Sequence, residues 1–398
     1  MKKGWVLAAA LLWLLTLCPG GLGEEAENPF AQADDYFQGM FFRAHAIGGG
    51  VMVSQNNERV YSYFSGAGDK RGTRPVDEET VYKVASVTKM VAAMGVMKLV
   101  EEGKIGLDDP LPGPGKKPVL NPRFPETPVT LRQVLSHTSS LLHSAPYAGS
   151  PPWDKLTKKD KKFFSRYEPG VHYEYANLNG GMLCSIAERI SGQSFNTFMK
   201  ENLFAPLGIN AAFAAHLLPE PELLSNTYDA NGISYLTAQR YRNDDAKDYE
   251  DTCDPDAHYR ASVGSLYISL SGLEKVGQAL ACGGMAGDVR VLEEDTVRLM
   301  MADQSTLPGS SVSASGPYGL GVCRFTAADG ITWYGHQGKW EGLLADVFAE
   351  PETHTVIVLV MNGVQSVPNG KEVSTRTEKV MVQVMDWLNG THNADKLQ

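Results

Sequence analysis

Ser86 and Lys89 stand three residues apart in VASVTKMVAAMGVM, the stretch from Val84 to Met97, where Lys89 is the only charge. On a helix, residues three apart are neighbours, with Cβ atoms about 5–6 Å apart. An ammonium buried among Val, Ala and Met is costly unless partnered, and its pKa falls. A desolvated amine beside a hydroxyl is one way to activate a serine nucleophile. The spacing also fits a plainer arrangement, a lysine snorkelling from a helix end that Ser86 caps.

Two further sets carry chemistry-bearing residues. Tyr175-Ala176-Asn177 follows the turn Glu168-Pro169-Gly170. At a loop-to-helix junction a Tyr and an Asn two apart project toward one side. The alternative is Asn177 as helix N-cap and Tyr175 as a packing aromatic. Gly335-His336-Gln337-Gly338 reads as the end of a strand. Glycine beside a reactive centre lets backbones approach closely, and the alternative is an edge turn with a surface histidine.

The elements that must position these residues follow from pattern. Asn28 to Ala44 reads as a helix anchored by Phe30, Phe37, Phe41 and Phe42. Strand-like runs at Gly50–Ser54 and Arg59–Phe64 flank Asn56-Asn57, a turn dipeptide. The helix carrying Ser86 ends near Gly103. Thr130 to Ser136, Leu178 to Gly192 and Phe195 to Leu203 also read as helices. Ser140 to Tyr173 and the acidic stretch Asn226 to His258 read as loops. The acids of the second lack EF-hand spacing. Ile331–Gly335, Leu344–Ala349 and Thr355–Met361 read as strands, and Lys379 to Leu388 as a closing helix. Strands at both ends and helices between them predict an α+β fold. Its antiparallel sheet is built from both chain ends and flanked by helices, with an inserted, mainly helical subdomain. The expected division is one catalytic domain over 28–390. Its α/β part covers about 28–100 and 310–390, and its helical part about 101–309.

Composition sets the class. The chain of 398 residues is 43% apolar and 21% charged, the balance of a globular protein with a sizeable core. A formal net charge of −10 argues against nucleic acid as a partner. Lys2 and Lys3 precede an apolar run from Trp5 to Leu17 and the small residues Gly21-Leu22-Gly23. That is the pattern of a secretory signal over 1–23, and it predicts an exported protein without stable membrane insertion after cleavage. The apolar run is short for a bilayer span, and retention as an anchor is the alternative. Cys184, Cys253, Cys282 and Cys323 lack metal-site spacing. Cys184 fits a small core residue, and a Cys253–Cys282 disulfide stays open.

Taken jointly, Ser-x-x-Lys, Tyr-x-Asn and His-x-Gly occur in that order on a helix, a loop and a strand. With them the chain resembles the serine β-lactamase-related family, which takes in AmpC-type β-lactamases, D-alanyl-D-alanine carboxypeptidases, D-aminopeptidases and esterases. The likeness extends through TPVTLRQVLSHTSSL, PYGLGV and YGHQGKWEGLLADVFAEP, and covers the chain from about Ala46 to Trp387. It implies Ser86 as nucleophile, Lys89 and Tyr175 as the coupled proton-transfer pair, and Asn177 as a contact for substrate amides. It implies His336 as a contact for a substrate carboxylate or the tyrosine oxygen. Gly338 and Lys339 follow as binding-strand residues, with the N–H groups of Ser86 and Lys339 as oxyanion hole. No metal or organic cofactor is implied. The implied activity is hydrolysis through an acyl-enzyme, of a D-amino-acid peptide first, with an ester or a β-lactam as alternative substrate. A penicillin-binding sensor without turnover is a further alternative. Three departures stand out: His-Gln-Gly replaces Lys-Thr-Gly, Lys339 replaces a small residue, and Ser140 replaces a glycine.

Overall fold

The computed structural model describes residues 28–69, 72–113, 117–143, 161–229, 231–305, 317–364 and 373–390. The expected signal segment and much of the Ser140–Tyr173 stretch lie outside them.

An antiparallel six-stranded sheet carries the fold. Its strands are β1 (Gly48–Gln55), β2 (Glu58–Gly66), β3 (Cys323–Thr326), β4 (Thr332–Trp340), β5 (Leu343–Glu350) and β6 (Thr355–Asn362). They lie in the order β3-β4-β5-β6-β1-β2, so a hairpin from the start of the chain extends a meander from its end. Asn56 and Asn57, with φ of 53° and 66°, turn the first hairpin. Positive φ at both turn positions matches the right-handed twist of the strands, and Asn tolerates it. The central strand β6, TVIVLVMN, is buried along its whole length. Its alternate residues serve two cores. Val356, Val358 and Val360 join one; Ile357, Leu359 and Met361 join the other. Each such burial contributes about 1.5–3 kcal/mol.

One face of the sheet is covered by α1 (Ala33–Arg43) and α5 (Thr375–Leu388) through Phe37, Phe41, Val380, Met381 and Val384. Phe42, expected as an anchor, is 80% exposed instead. A helix turns about 100° per residue, so Phe41 and Phe42 cannot both face the sheet. The other face takes α4 (Leu270–Ala281). Between the sheet-forming ends run α2 (Val87–Glu101), α3 (Asn177–Ser191) and shorter helices. From Val87 to Met97 helix α2 is apolar or small on every side but for Lys89, and every residue of that stretch is buried.

Three expectations are corrected. His336-Gln337-Gly338 lies in the middle of β4, not at a strand end, because pairing with β5 continues to Trp340↔Leu343. Asn226–His258 is not wholly loop: it holds a helix, Ala238–Asp248, started by Thr237, whose side chain accepts from the Arg240 N–H. Its acids serve local structure. Asp244 pairs with Arg240, Asp245 accepts from the Ala215 N–H, and Ser194 donates to Asp251. Cys253 and Cys282 are free thiols, so no Cys253–Cys282 disulfide forms.

Candidate active site

A three-stranded sheet of Val81–Lys83, Tyr267–Ser269 and Ala211–Ala212 delivers the chain to Ser86. Ala85 then adopts φ +46°, a left-handed conformation that costs a non-glycine residue on the order of 1–3 kcal/mol. The surroundings hold it there. The Val84 N–H donates to Leu266 O at 3.0 Å, and the Leu266 N–H donates to Thr88 Oγ1 at 3.1 Å. Ser86 follows as the N-cap of α2, with no side-chain capping bond. Its hydroxyl is thus spared from capping, contrary to the plainer reading of the sequence. The first turn of α2 has no acid, so its partial positive N-terminal charge is not offset by a carboxylate there.

Lys89 is 2% exposed, and its Nζ donates to Ser86 Oγ at 3.0 Å and to Val263 O at 2.7 Å. Burial alone lowers its pKa to about 7. At neutral pH the amine therefore passes readily between a donor to Ser86 and an acceptor of its proton. Gly180 on α3 makes room for the lysine stem. A Cβ there would come within 2.8–3.0 Å of Cγ, Cδ and Cε.

Tyr175 flanks this pair, with Lys89 Nζ 5.4 Å from its ring centroid. The ring packs at 4.4 Å on His137, which is itself buried in a left-handed conformation. His137 Nδ1 accepts from the Ala176 N–H at 3.2 Å and lies 3.0 Å from Asn179 Nδ2. Burial, then the Lys89 charge, hold its pKa well below the ordinary value. A neutral ring that accepts at Nδ1 carries its proton on Nε2.

His336 is buried too, and burial lowers its pKa to about 3. Its Nδ1 lies 2.8 Å from Gln337 O, a pure acceptor, so Nδ1 carries the proton and Nε2 accepts. The donor to Nε2, at 3.1 Å, is the hydroxyl of Tyr318. The tyrosine that this ring nitrogen meets is therefore Tyr318, and His336 is a neutral residue rather than a cation for a carboxylate. Gln337 points away from the cleft, its Nε2 donating to Asp346 Oδ1 at 2.7 Å and Thr377 Oγ1 at 3.0 Å.

Gly338 brings β4 against the nucleophile turn. A Cβ there would sit 2.1 Å from Val84 O and 3.2 Å from the Ser86 N–H nitrogen. Lys339 and Asn177 line the same cleft of about 540 Å³ as Ser86, with Lys83, Arg260 and Trp340. Asn177 is the first residue of α3, and the N-cap is Ala176. Ser140 occupies φ +71° where a glycine was expected. Its hydroxyl repays the strain by accepting from Asn121 Nδ2 and donating to Tyr167 O, both at 2.7 Å. Among the described residues no cluster of three His, Cys, Asp or Glu side chains is arranged to hold a metal ion.

Ser86, Asn177 and Lys339 thus line one cleft, with Lys89 and Gly338 against Ser86 and Tyr175 against Lys89. His137, Gly180, Val263 and Tyr318 are additions that sequence patterns did not single out as site residues. The segments HTSSL and PYGLGV carried the only signal for His137 and Tyr318.

Comparison with known proteins identifies the family and the fold. The family model Beta-lactamase matches residues 33–380. The chain is 26% identical over 215 residues to D-alanyl-D-alanine-carboxypeptidase/endopeptidase AmpH of Escherichia coli, a match covering 50% of this chain and 56% of the relative. It is 26% identical over 232 residues to esterase EstB of Burkholderia gladioli, covering 54% and 58%. The matches span a little over half the length of these curated relatives. The fold is similar to that of the Beta-lactamase/D-alanine Carboxypeptidase from Yersinia pestis, with a TM-score of 0.68 at 18% identity over 90% of this chain and 99% of that one. Over most of its length, the chain belongs to the Beta-lactamase family.

Proposed function

We propose that the protein is an exported serine hydrolase that acts through an acyl-enzyme on Ser86. The substrate class is a D-amino-acid peptide, cleaved in the manner of a D-alanyl-D-alanine carboxypeptidase. Residues 28–390 form the catalytic unit of this reading, and 1–23 the export signal. The observation that carries it is the 3.0 Å contact between Ser86 Oγ and a fully buried Lys89 whose pKa is lowered to about 7.

In this mechanism neutral Lys89 takes the Ser86 proton as Oγ attacks the carbonyl carbon. The carbonyl oxygen becomes an oxyanion between the Ser86 and Lys339 N–H groups. Each such donor is worth about 10²–10³ in rate. The Lys89–Tyr175 pair returns the proton to the departing amine, breaking the peptide bond. Water then attacks the acyl carbon and gives a proton to the same pair, which passes it to Ser86 Oγ as the acyl–Oγ bond breaks and the acid leaves. Asn177 holds the substrate amide. Similarity to EstB supports an ester as the alternative substrate.

The test is labelling by a fluorescent penicillin, followed by a panel of acyl-D-Ala-D-Ala peptides, D-amino-acid amides, nitrocefin and p-nitrophenyl esters. Turnover of the peptides that disappears in Ser86→Ala is the expected result. Ester turnover alone would transfer the protein to the esterases, and one equivalent of product followed by silence would make it a sensor. Labelling or turnover that survives Ser86→Ala overturns the assignment of the nucleophile.

A further inference from the structure

Lys83 stands three residues before Ser86 and faces the same cleft. The strand Val81–Lys83 places its ammonium among three aromatic rings. Nζ lies 5.2 Å from the ring centroid of Tyr241, 5.2 Å from that of Tyr267 and 5.3 Å from that of Trp340. Ring faces attract a cation through their quadrupoles. They do not satisfy its three N–H donors, which require lone-pair acceptors. Among the described residues no carboxylate lies within ion-pair distance of Lys83, and none accepts a hydrogen bond from it. Asp245 acts on it from farther off, while its Oδ2 accepts from the Ala215 N–H at 2.7 Å. Burial lowers the Lys83 pKa, as expected for an ammonium without a close counter-ion.

The other charged groups on the cleft wall are Lys339, Arg260, His258, Asp245 and Asp248. Lys339 acts electrostatically on the buried Asp346 behind its strand. His336, where the family pattern has a cationic lysine, is neutral and occupied on both ring nitrogens. His336 thus offers no cation to an acidic substrate group, whereas Lys83 offers one on the cleft wall, held by rings.

We propose that Lys83 is the anion-binding residue of the cleft, and that preferred substrates carry a carboxylate close to the bond that Ser86 attacks. The inference rests on the acyl-transfer reading above and names its substrate class. A charge-assisted bond from a ring-held ammonium favours a carboxylate over its neutral amide by about tenfold to a hundredfold.

The test separates binding from chemistry. Ser86→Ala protein, which needs no turnover, is titrated by calorimetry with N-acetyl-D-alanyl-D-alanine and with its C-terminal amide. The acid is expected to bind at least tenfold tighter. Lys83→Met is expected to reduce the acid to the affinity of the amide without changing the amide, and Lys83→Arg to keep the preference. Where Lys83→Met does not fold, salt provides the second measurement: added salt weakens binding of the acid and not of the amide. Equal affinity of the two probes, undetectable binding of both included, overturns the proposal, as does a preference that persists in Lys83→Met. Turnover of a neutral p-nitrophenyl ester through Ser86 without any acid preference would sink this inference alone. Absence of Ser86-dependent acylation would instead sink the reading of the reaction and leave the binding result standing.

Discussion

Replacing Lys89 by methionine separates stability from catalysis. The side chain is fully buried, and its pKa falls from the usual 10.5 to about 7. Below pH 7 both folded and unfolded chains carry the proton, and the folded state bears the whole cost of burying the charge. Above pH 10.5 both are neutral and the cost is gone. Stability from this residue is therefore complete above pH 10.5 and is lost progressively as pH falls to 7. The shift corresponds to about 5 kcal/mol. Methionine fills similar space without the charge, but leaves Val263 O without its donor at 2.7 Å, which costs about 1–3 kcal/mol. At pH 6, Lys89→Met is thus expected to be more stable than the parent by about 2–4 kcal/mol. At pH 10.5 it is expected to be less stable by about 1–3 kcal/mol. Acylation of Ser86 is expected to disappear throughout. Urea denaturation from pH 6 to pH 10.5, alongside burst-phase acylation, reads both. A variant less stable than the parent at pH 6, or a difference that ignores pH, refutes the account of Lys89 as a desolvated amine.

The other expectations concern the strands and rings around it. Gly338→Ala drives a Cβ into Val84 O at 2.1 Å and separates β4 from the nucleophile turn; single-turnover acylation is expected to slow by about 10²–10³, and a change under twofold would argue against this close approach. Tyr318→Phe removes the donor to buried His336 Nε2 and is expected to cost about 1–3 kcal/mol in urea denaturation; an unchanged midpoint would count against that bond. Asp346 is buried with its pKa raised to about 7. The folded state prefers its neutral form, so its stability is present below the unfolded pKa and lost as pH rises through 7. Between pH 4 and pH 7 that amounts to about 4 kcal/mol. Asp346→Asn should gain on the parent across this window, and a constant difference between them would show that the carboxyl titrates normally.

What the sequence disclosed depended on whether a residue's partner lay nearby in the chain. Lys89 was legible because a single charge in an apolar helix demands a partner, and Ser86 is one turn away. The Asn56-Asn57 hairpin and β6 were legible from local turn chemistry and a continuous apolar run. His336 was misplaced at a strand end because Gly335 and Gly338 look like terminators. In the structure a Cβ at Gly335 would meet Val347 O at 2.0 Å, and one at Gly338 would meet Val84 O. These glycines permit contact with other elements and do not end the strand. The role of Tyr318 was invisible because the ring nitrogen it meets lies 18 residues on, with no local period linking them. The helix Ala238–Asp248 was hidden by polarity, since Tyr241 is its only buried residue.

The sheet has a consequence for the order in which the molecule is made. Gln55 at the end of β1 pairs with Thr355 at the start of β6. A ribosome must therefore deliver about three hundred further residues before the first strand finds its second neighbour, β6. Until then the hairpin of β1 and β2 is a two-stranded ribbon, marginal in water by itself. The native core closes only after synthesis is nearly finished, and contacts of such sequence separation make that closure slow. A chain arrested before β6 emerges would leave the apolar residues of β1 uncovered, open to proteases and chaperones.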